Sequence, residues 1–131
     1  MKELKKILYA EDDTDIQTIV STIIEAMSPY DLKICYNGRI LLDCVEEFEP
    51  DLILLDVMMP EMNGPDTFKK LTENPKTKDI PVIFMTAKAQ VHEVKAMLES
   101  GILGIITKPF DPMQLVASID EYWKEYNANG Q

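Results

Sequence analysis

The chain has 131 residues, 46% of them hydrophobic, which is enough for one domain with a real core and too apolar for a disordered one. Its formal net charge is −10, from 13 Lys plus Arg against 23 Asp plus Glu, and Arg39 is the single arginine. A field of that sign repels phosphate backbones, and one guanidinium does not make a base-reading surface, so direct nucleic-acid binding is not expected.

Lys2, Lys5 and Lys6 precede a short apolar run, Ile7 to Ala10, that reads as the first strand. Glu11, Asp12 and Asp13 end it at once, so this run is not expected to be a secretory leader. From Thr14 the period turns helical, with Ile16, Ile19, Val20, Ile23, Ile24 and Met27 at three- and four-residue steps. Thr14 with Gln17 fits a capping box, Asp13 and Asp15 suit the positive end of the helix dipole, and Ser28-Pro29 stops the helix.

Leu32 to Tyr36 forms the second predicted strand, and Asn37 caps a helix whose stripe is Ile40, Leu41, Cys44, Val45 and Phe48. Glu49-Pro50 ends that helix. Leu52 to Leu55 is apolar on both faces, as a central parallel strand covered by helices would be. A helix follows from Pro65 and breaks at Asn74-Pro75. Val82 to Met85 is another two-sided strand, and a helix from about Lys88 carries Val91, Val94, Met97 and Leu98 before Ser100-Gly101. His92 sits on the outer surface of that predicted helix.

Leu103 to Ile106 is the fifth strand. Asp111 is the expected cap of a last helix with Leu115, Ile119, Tyr122 and Trp123 inward, and residues 127–131 form a frayed polar tail beyond a domain at 1–126. No apolar stretch approaches the roughly 20 residues that span a bilayer. Cys35 and Cys44 have neither metal-ligand nor redox spacing and read as free buried thiols, so a reduced, cytoplasmic protein is expected.

Five strands alternating with five helices argue an α/β fold, a doubly wound parallel sheet whose strand-to-helix loops all lie at the carboxyl edge. There the strands end in Glu11-Asp12-Asp13, Asp56, Thr86-Ala87 and Thr107-Lys108-Pro109. With the first and third strands adjacent, Glu11, Asp12 and Asp56 share a pocket with Thr86 and Lys108 on its far side. Three carboxylates and one ammonium sum to −2, so one pKa must rise or a cation must enter. Hard oxygen donors without His or Cys favour Mg²⁺ or Mn²⁺ over zinc. The filled pocket suits a phosphoryl group, with Asp56 as a carboxylate nucleophile.

Glu11-Asp12, the segment from Asp51 to Gly64, Thr86-Ala87 and Lys108-Pro109-Phe110 together resemble a receiver domain of a two-component response regulator, over nearly the whole chain. Each piece alone is weak; four in order at four strand ends are specific. The resemblance implies the flavodoxin-like strand order 2-1-3-4-5 that the family's chemotaxis member exemplifies. It implies Asp56 as phosphoacceptor from a histidine kinase or histidine phosphotransfer protein, and Mg²⁺ held by Asp12, Asp56, the Met58 carbonyl and, through water, Glu11. It also implies phosphoryl contacts from Thr86 and Lys108, and a cis Lys108-Pro109 peptide. Many receivers carry an aromatic switch residue three positions before the lysine; here that position is Ile105.

Competing functions fit less well. A haloacid-dehalogenase-like phosphatase needs an acid two residues after its nucleophile, where this chain has Met58. A flavin binder needs a Thr/Ser/Gly-rich first loop, and this one is acidic. A receiver used only for docking would not need Asp56, Thr86 and Lys108. Self-phosphorylation and self-dephosphorylation without turnover of a separate substrate are therefore expected. The chain ends soon after its fifth helix, so output by docking to a downstream protein is expected, with a homodimer left open and no membrane contact.

Overall fold

The computed structural model describes residues 2–87 and 91–129. Five strands, β1 (Lys6–Ala10), β2 (Asp31–Cys35), β3 (Leu52–Asp56), β4 (Val82–Thr86) and β5 (Gly104–Thr107), alternate with five helices. These are α1 (Thr14–Met27), α2 (Gly38–Phe48), α3 (Gly64–Glu73), α4 (Val91–Glu99) and α5 (Leu115–Ala128). The sheet is parallel throughout, in the order β2-β1-β3-β4-β5, as the sequence led us to expect.

Every residue of β3 and β4 is buried, which is why both read as unbroken apolar runs. Strand alternation sorts the side chains into two cores. Ile7, Tyr9, Leu52, Leu54, Ile83 and Met85 pack with Val20 and Ile24 of α1 and Ile119 and Trp123 of α5. Leu8, Ala10, Ile53, Leu55, Val82 and Phe84 pack with Leu41 and Val45 of α2 and Leu71 of α3.

Several local expectations change. The N-cap of α1 is Asp13, whose carboxylate accepts the Asp15 N–H at 2.9 Å and the Ile16 N–H at 3.3 Å, and not Thr14. A carboxylate there satisfies orphan donors and the helix dipole at once, which a hydroxyl cannot. Gln17 donates instead to the Glu11 carbonyl. Asp111 accepts the Met113 N–H at 2.9 Å and shapes a turn, so α5 starts later, at Leu115, without a side-chain cap.

Helix α5 also runs past the expected boundary at 126. Trp123 Nε1 and Asn127 Nδ2 both donate to the Lys2 carbonyl, at 3.2 and 3.1 Å, so Asn127 and Ala128 are fastened helix and not tail. Ile19, Met27, Ile40 and Leu98, read as inward, are exposed. A helix lying on a sheet buries only a stripe, and residues at the stripe's margin stay in water. The predicted helix start at Lys88 and the placement of the His92 side chain lie outside the described residues, as do the last two residues of the tail. Among the described residues no helix is long and apolar enough to cross a membrane.

Candidate functional site

The same alternation that builds the core aims the site. Tyr9, Leu54 and Ile106 face the α1/α5 layer, and the residues two steps further on are Glu11, Asp56 and Lys108. The three side chains meet. Lys108 Nζ lies 2.7 Å from Glu11 Oε1 and 3.2 Å from Asp56 Oδ2. Glu11 is almost fully buried; its Oε1 also accepts the Tyr9 hydroxyl at 3.0 Å, and its Oε2 accepts the Asp13 N–H at 3.2 Å. One carboxylate oxygen each from Glu11, Asp12 and Asp56 lies within 4.8 Å of the others.

Crowding like charges away from water shifts the protonation of the site. Burial, then the hydrogen bond and charge of Glu11, push the Asp56 carboxyl up to about 7, against the opposing pull of Lys108. Burial alone would lower Lys108, but its bond to Glu11 and the charges of Asp56 and Glu11 outweigh this and raise its pKa. Burial, reinforced by Glu11, raises the Tyr9 phenol, which therefore stays a donor.

Thr86 ends β4 and is buried, and its carbonyl accepts the Lys108 N–H at 2.8 Å, tying the two strand ends together. The Lys108-Pro109 peptide is cis. Met58 lies two residues beyond Asp56 with its side chain 77% exposed, so any ligand it offers is its backbone carbonyl. The donor set of the acidic cluster is all oxygen, and a buried carboxyl pushed up by a neighbouring carboxylate is relieved by a cation. These residues fit a hard divalent ion such as Mg²⁺.

Residues 7–120 match the response regulator receiver domain. The chain belongs to that family. The DNA-binding response regulator MtrA of Mycobacterium tuberculosis is 34% identical over 115 residues, covering 88% of this chain and 49% of that protein. The transcriptional regulatory protein CpxR of Escherichia coli is 34% identical over 131 residues, covering 96% of this chain and 54% of that protein. The chain therefore spans about half the length of these curated relatives.

Among solved structures, the receiver domain of a signal transduction histidine kinase from Syntrophus aciditrophicus superimposes with a TM-score of 0.80 at 30% identity, covering 92% of this chain and 91% of that one. Chemotaxis response regulator CheY4 of Vibrio cholerae gives a TM-score of 0.83 at 24% identity, covering 92% of this chain and 99% of that one, and shows the shared fold.

Two parts of this receiver's pocket escaped the sequence reading. Tyr9 reads as a core aromatic, although its two-residue spacing from Glu11 places both on one face of a strand. Gly64 reads as loop, yet a Cβ there would stand 2.6 Å from the Asp56 carbonyl oxygen, so only glycine lets α3 start this close to the acid.

Proposed function

We propose that this receiver domain takes a phosphoryl group onto an Asp56 carboxylate oxygen from the phosphohistidine of a histidine kinase or phosphotransfer protein. The resulting state is read by a downstream protein through altered docking. The observation that carries the reading is a buried nucleophilic carboxylate, pushed up to about 7, held 3.2 Å from a lysine and beside two further carboxylates. Glu11, Asp12 and Asp56, joined by the Met58 carbonyl, would hold Mg²⁺, and Mn²⁺ suits the same donors. A bound cation there supplies neutralisation of phosphoryl charge.

In the transfer, the P–O bond to Asp56 forms as the P–N bond to the donor imidazole breaks. Once phosphorylated, Asp56 has lost its carboxylate charge, and the Lys108 ammonium moves from the carboxylate to a phosphoryl oxygen while keeping Glu11. The Thr86 hydroxyl donates to a second phosphoryl oxygen. Thr86 ends β4 and Lys108 directly follows β5, so a shift there reaches the outer edge of the sheet. The acyl phosphate is then lost to water, and no separate substrate is turned over. The cytoplasm is the compartment that fits a kinase donor and free thiols. MtrA's name describes a DNA-binding protein about twice this chain's length, and nucleic-acid contact by these 131 residues is no part of the proposal.

Incubation with Mg²⁺ and a small acyl-phosphate donor tests the reading by intact mass. A gain of one phosphoryl group is expected in the native chain and not in Asp56→Asn. No gain, or a gain that survives the substitution, overturns it.

A further inference from the structure

Cys35 closes β2 and Cys44 lies in the second turn of α2, and their Sγ atoms stand 3.3 Å apart. Sequence spacing gave no hint of this, because the contact comes from the helix folding back over the strand that precedes it. The two thiols differ in access. Cys35 is buried, while Cys44 is half-exposed, and its thiol also donates to the Ile40 carbonyl at 3.3 Å. Burial, with the neighbouring Cys44, pushes the Cys35 thiol up to about 12. That shift slows attack by Cys35, so its part rests on contact: a thiol that solvent reaches stands against a protected one placed to resolve the product.

We propose that Cys35 and Cys44 form an oxidant-sensitive pair that closes to an intramolecular disulfide, and that closure is felt at the backbone of Glu11. With a peroxide as oxidant, the Cys44 sulfur takes one oxygen to become a sulfenic acid, and the O–O bond breaks with release of one water. The Cys35 sulfur then displaces the hydroxyl, forming the S–S bond and releasing a second water. Two thiols lose two electrons and two protons in total, and a small thiol reductant reverses the step.

The link to the pocket is short. Bonding requires the sulfurs to close from 3.3 Å to about 2.0 Å, which draws the end of β2 and the second turn of α2 toward each other. The Cys35 carbonyl accepts the Glu11 N–H at 3.0 Å, and Cys35 stands opposite Ala10 in the sheet register. Asn37, the N-cap of α2, donates to Glu61 in the loop after Asp56 at 3.2 Å. A disulfide therefore pulls on both sides of the acidic cluster.

The full chain, treated with hydrogen peroxide and then quenched, is denatured and labelled with a maleimide for intact mass. The expected product is monomeric, two hydrogens lighter, and takes no label, whereas the reduced chain takes two. Cys44→Ser should keep Cys35 labelable after the same treatment, and Cys35→Ser should accumulate oxygen on Cys44. Exchange of the Glu11 amide with deuterated solvent should change severalfold between reduced and oxidised native chain, and not in peroxide-treated Cys44→Ser. Retention of both labels, oxygen addition without loss of Cys35, or a covalent dimer as the main product overturns the pair. An unchanged Glu11 amide in the disulfide form overturns its reach into the pocket.

Discussion

Strand β3 is flanked by two aspartates that meet opposite fates. Asp51, just before the strand, accepts the Lys5 and Lys6 N–H groups, each at 2.9 Å, and the Lys2 ammonium at 3.1 Å. Burial alone would raise its pKa, but those backbone bonds and Lys2 outweigh it and lower the carboxyl below its ordinary value. Asp56, the last residue of the strand, faces another carboxylate as well as a lysine, and is pushed up to about 7. The first acid is a staple between β1 and β3; the second is left with a charge that only a proton or a cation settles. Cavity size does not separate them. A cleft of about 780 Å³ opens at the Asp51 end, lined by Lys2, Lys5, Lys6, Glu46 and Lys76 among others. Two of its acids are paired, Asp51 with Lys2 at 3.1 Å and Glu46 with Lys76 at 3.5 Å.

Replacing each carboxylate by its amide should split the pair most sharply. Asp56→Asn is expected to abolish phosphoryl uptake, read by intact mass. It should also raise the thermal midpoint of the metal-free protein at pH 8, because it removes a buried anion beside Glu11. Asp51→Asn should leave uptake in place and lower stability by about 1–3 kcal/mol in urea unfolding, since it weakens charge-assisted bonds to two backbone donors. Should both substitutions destabilise the metal-free fold equally, the contrast drawn between the two ends fails.

Acid and base should separate the same two residues without mutation. The folded pKa of Asp56 lies above its unfolded value, so the fold holds a proton that the unfolded chain has released. Its contribution to stability is therefore full below the unfolded pKa of about 4 and is lost as pH rises toward about 7. The folded pKa of Asp51 is depressed, so its contribution is present above about 4 and is lost as pH falls below that. Metal-free protein should thus lose stability between pH 5 and 8 relative to Asp56→Asn, and Mg²⁺ should restore more of it at pH 8 than at pH 5.5. Urea midpoints across that range, with chelator and with Mg²⁺, check both signs.

What the sequence made legible follows from how strongly each feature is over-determined. Leu52–Leu55 and Val82–Met85 are four-residue apolar runs bounded by Pro50, Pro60 and Pro81, too short for a buried helix and suited to strands covered on both faces. Once the strands alternate with helices, chain topology alone brings Glu11, Asp56 and Lys108 to one edge. Features decided by competition between neighbours were harder to see. Asp13 and Thr14 are both good caps, and only the folded loop shows that the carboxylate wins. Asp111 and Leu115 are separated by one turn whose geometry no periodicity records. The thiol pair depends on the packing angle between β2 and α2, which spacing does not encode, whereas the Tyr9–Glu11 bond was within reach of strand alternation.

The smallest expected effect lies at the open edge of the sheet, where Ile105 stands in place of an aromatic. Tyr122 of α5 reaches over β5, and its hydroxyl donates to the Ile105 carbonyl at 3.0 Å while accepting the Ile105 N–H at 3.4 Å. The ring has room only because residue 104 is glycine; a Cβ there would stand 2.3 Å from Tyr122 Cε1. β5 ends the sheet, so one phenol covers a backbone pair that would otherwise face solvent or another strand. Tyr122→Phe keeps the ring and removes the hydroxyl, and water can replace part of what is lost at a half-buried site. We expect about 1 kcal/mol or less in urea unfolding, together with faster exchange of the Ile105 amide and no change in phosphoryl uptake. An Ile105 amide that exchanges at the native rate in Tyr122→Phe would mean that the edge is protected by the ring alone, and that this hydroxyl plays no part in closing the side of the sheet opposite β2.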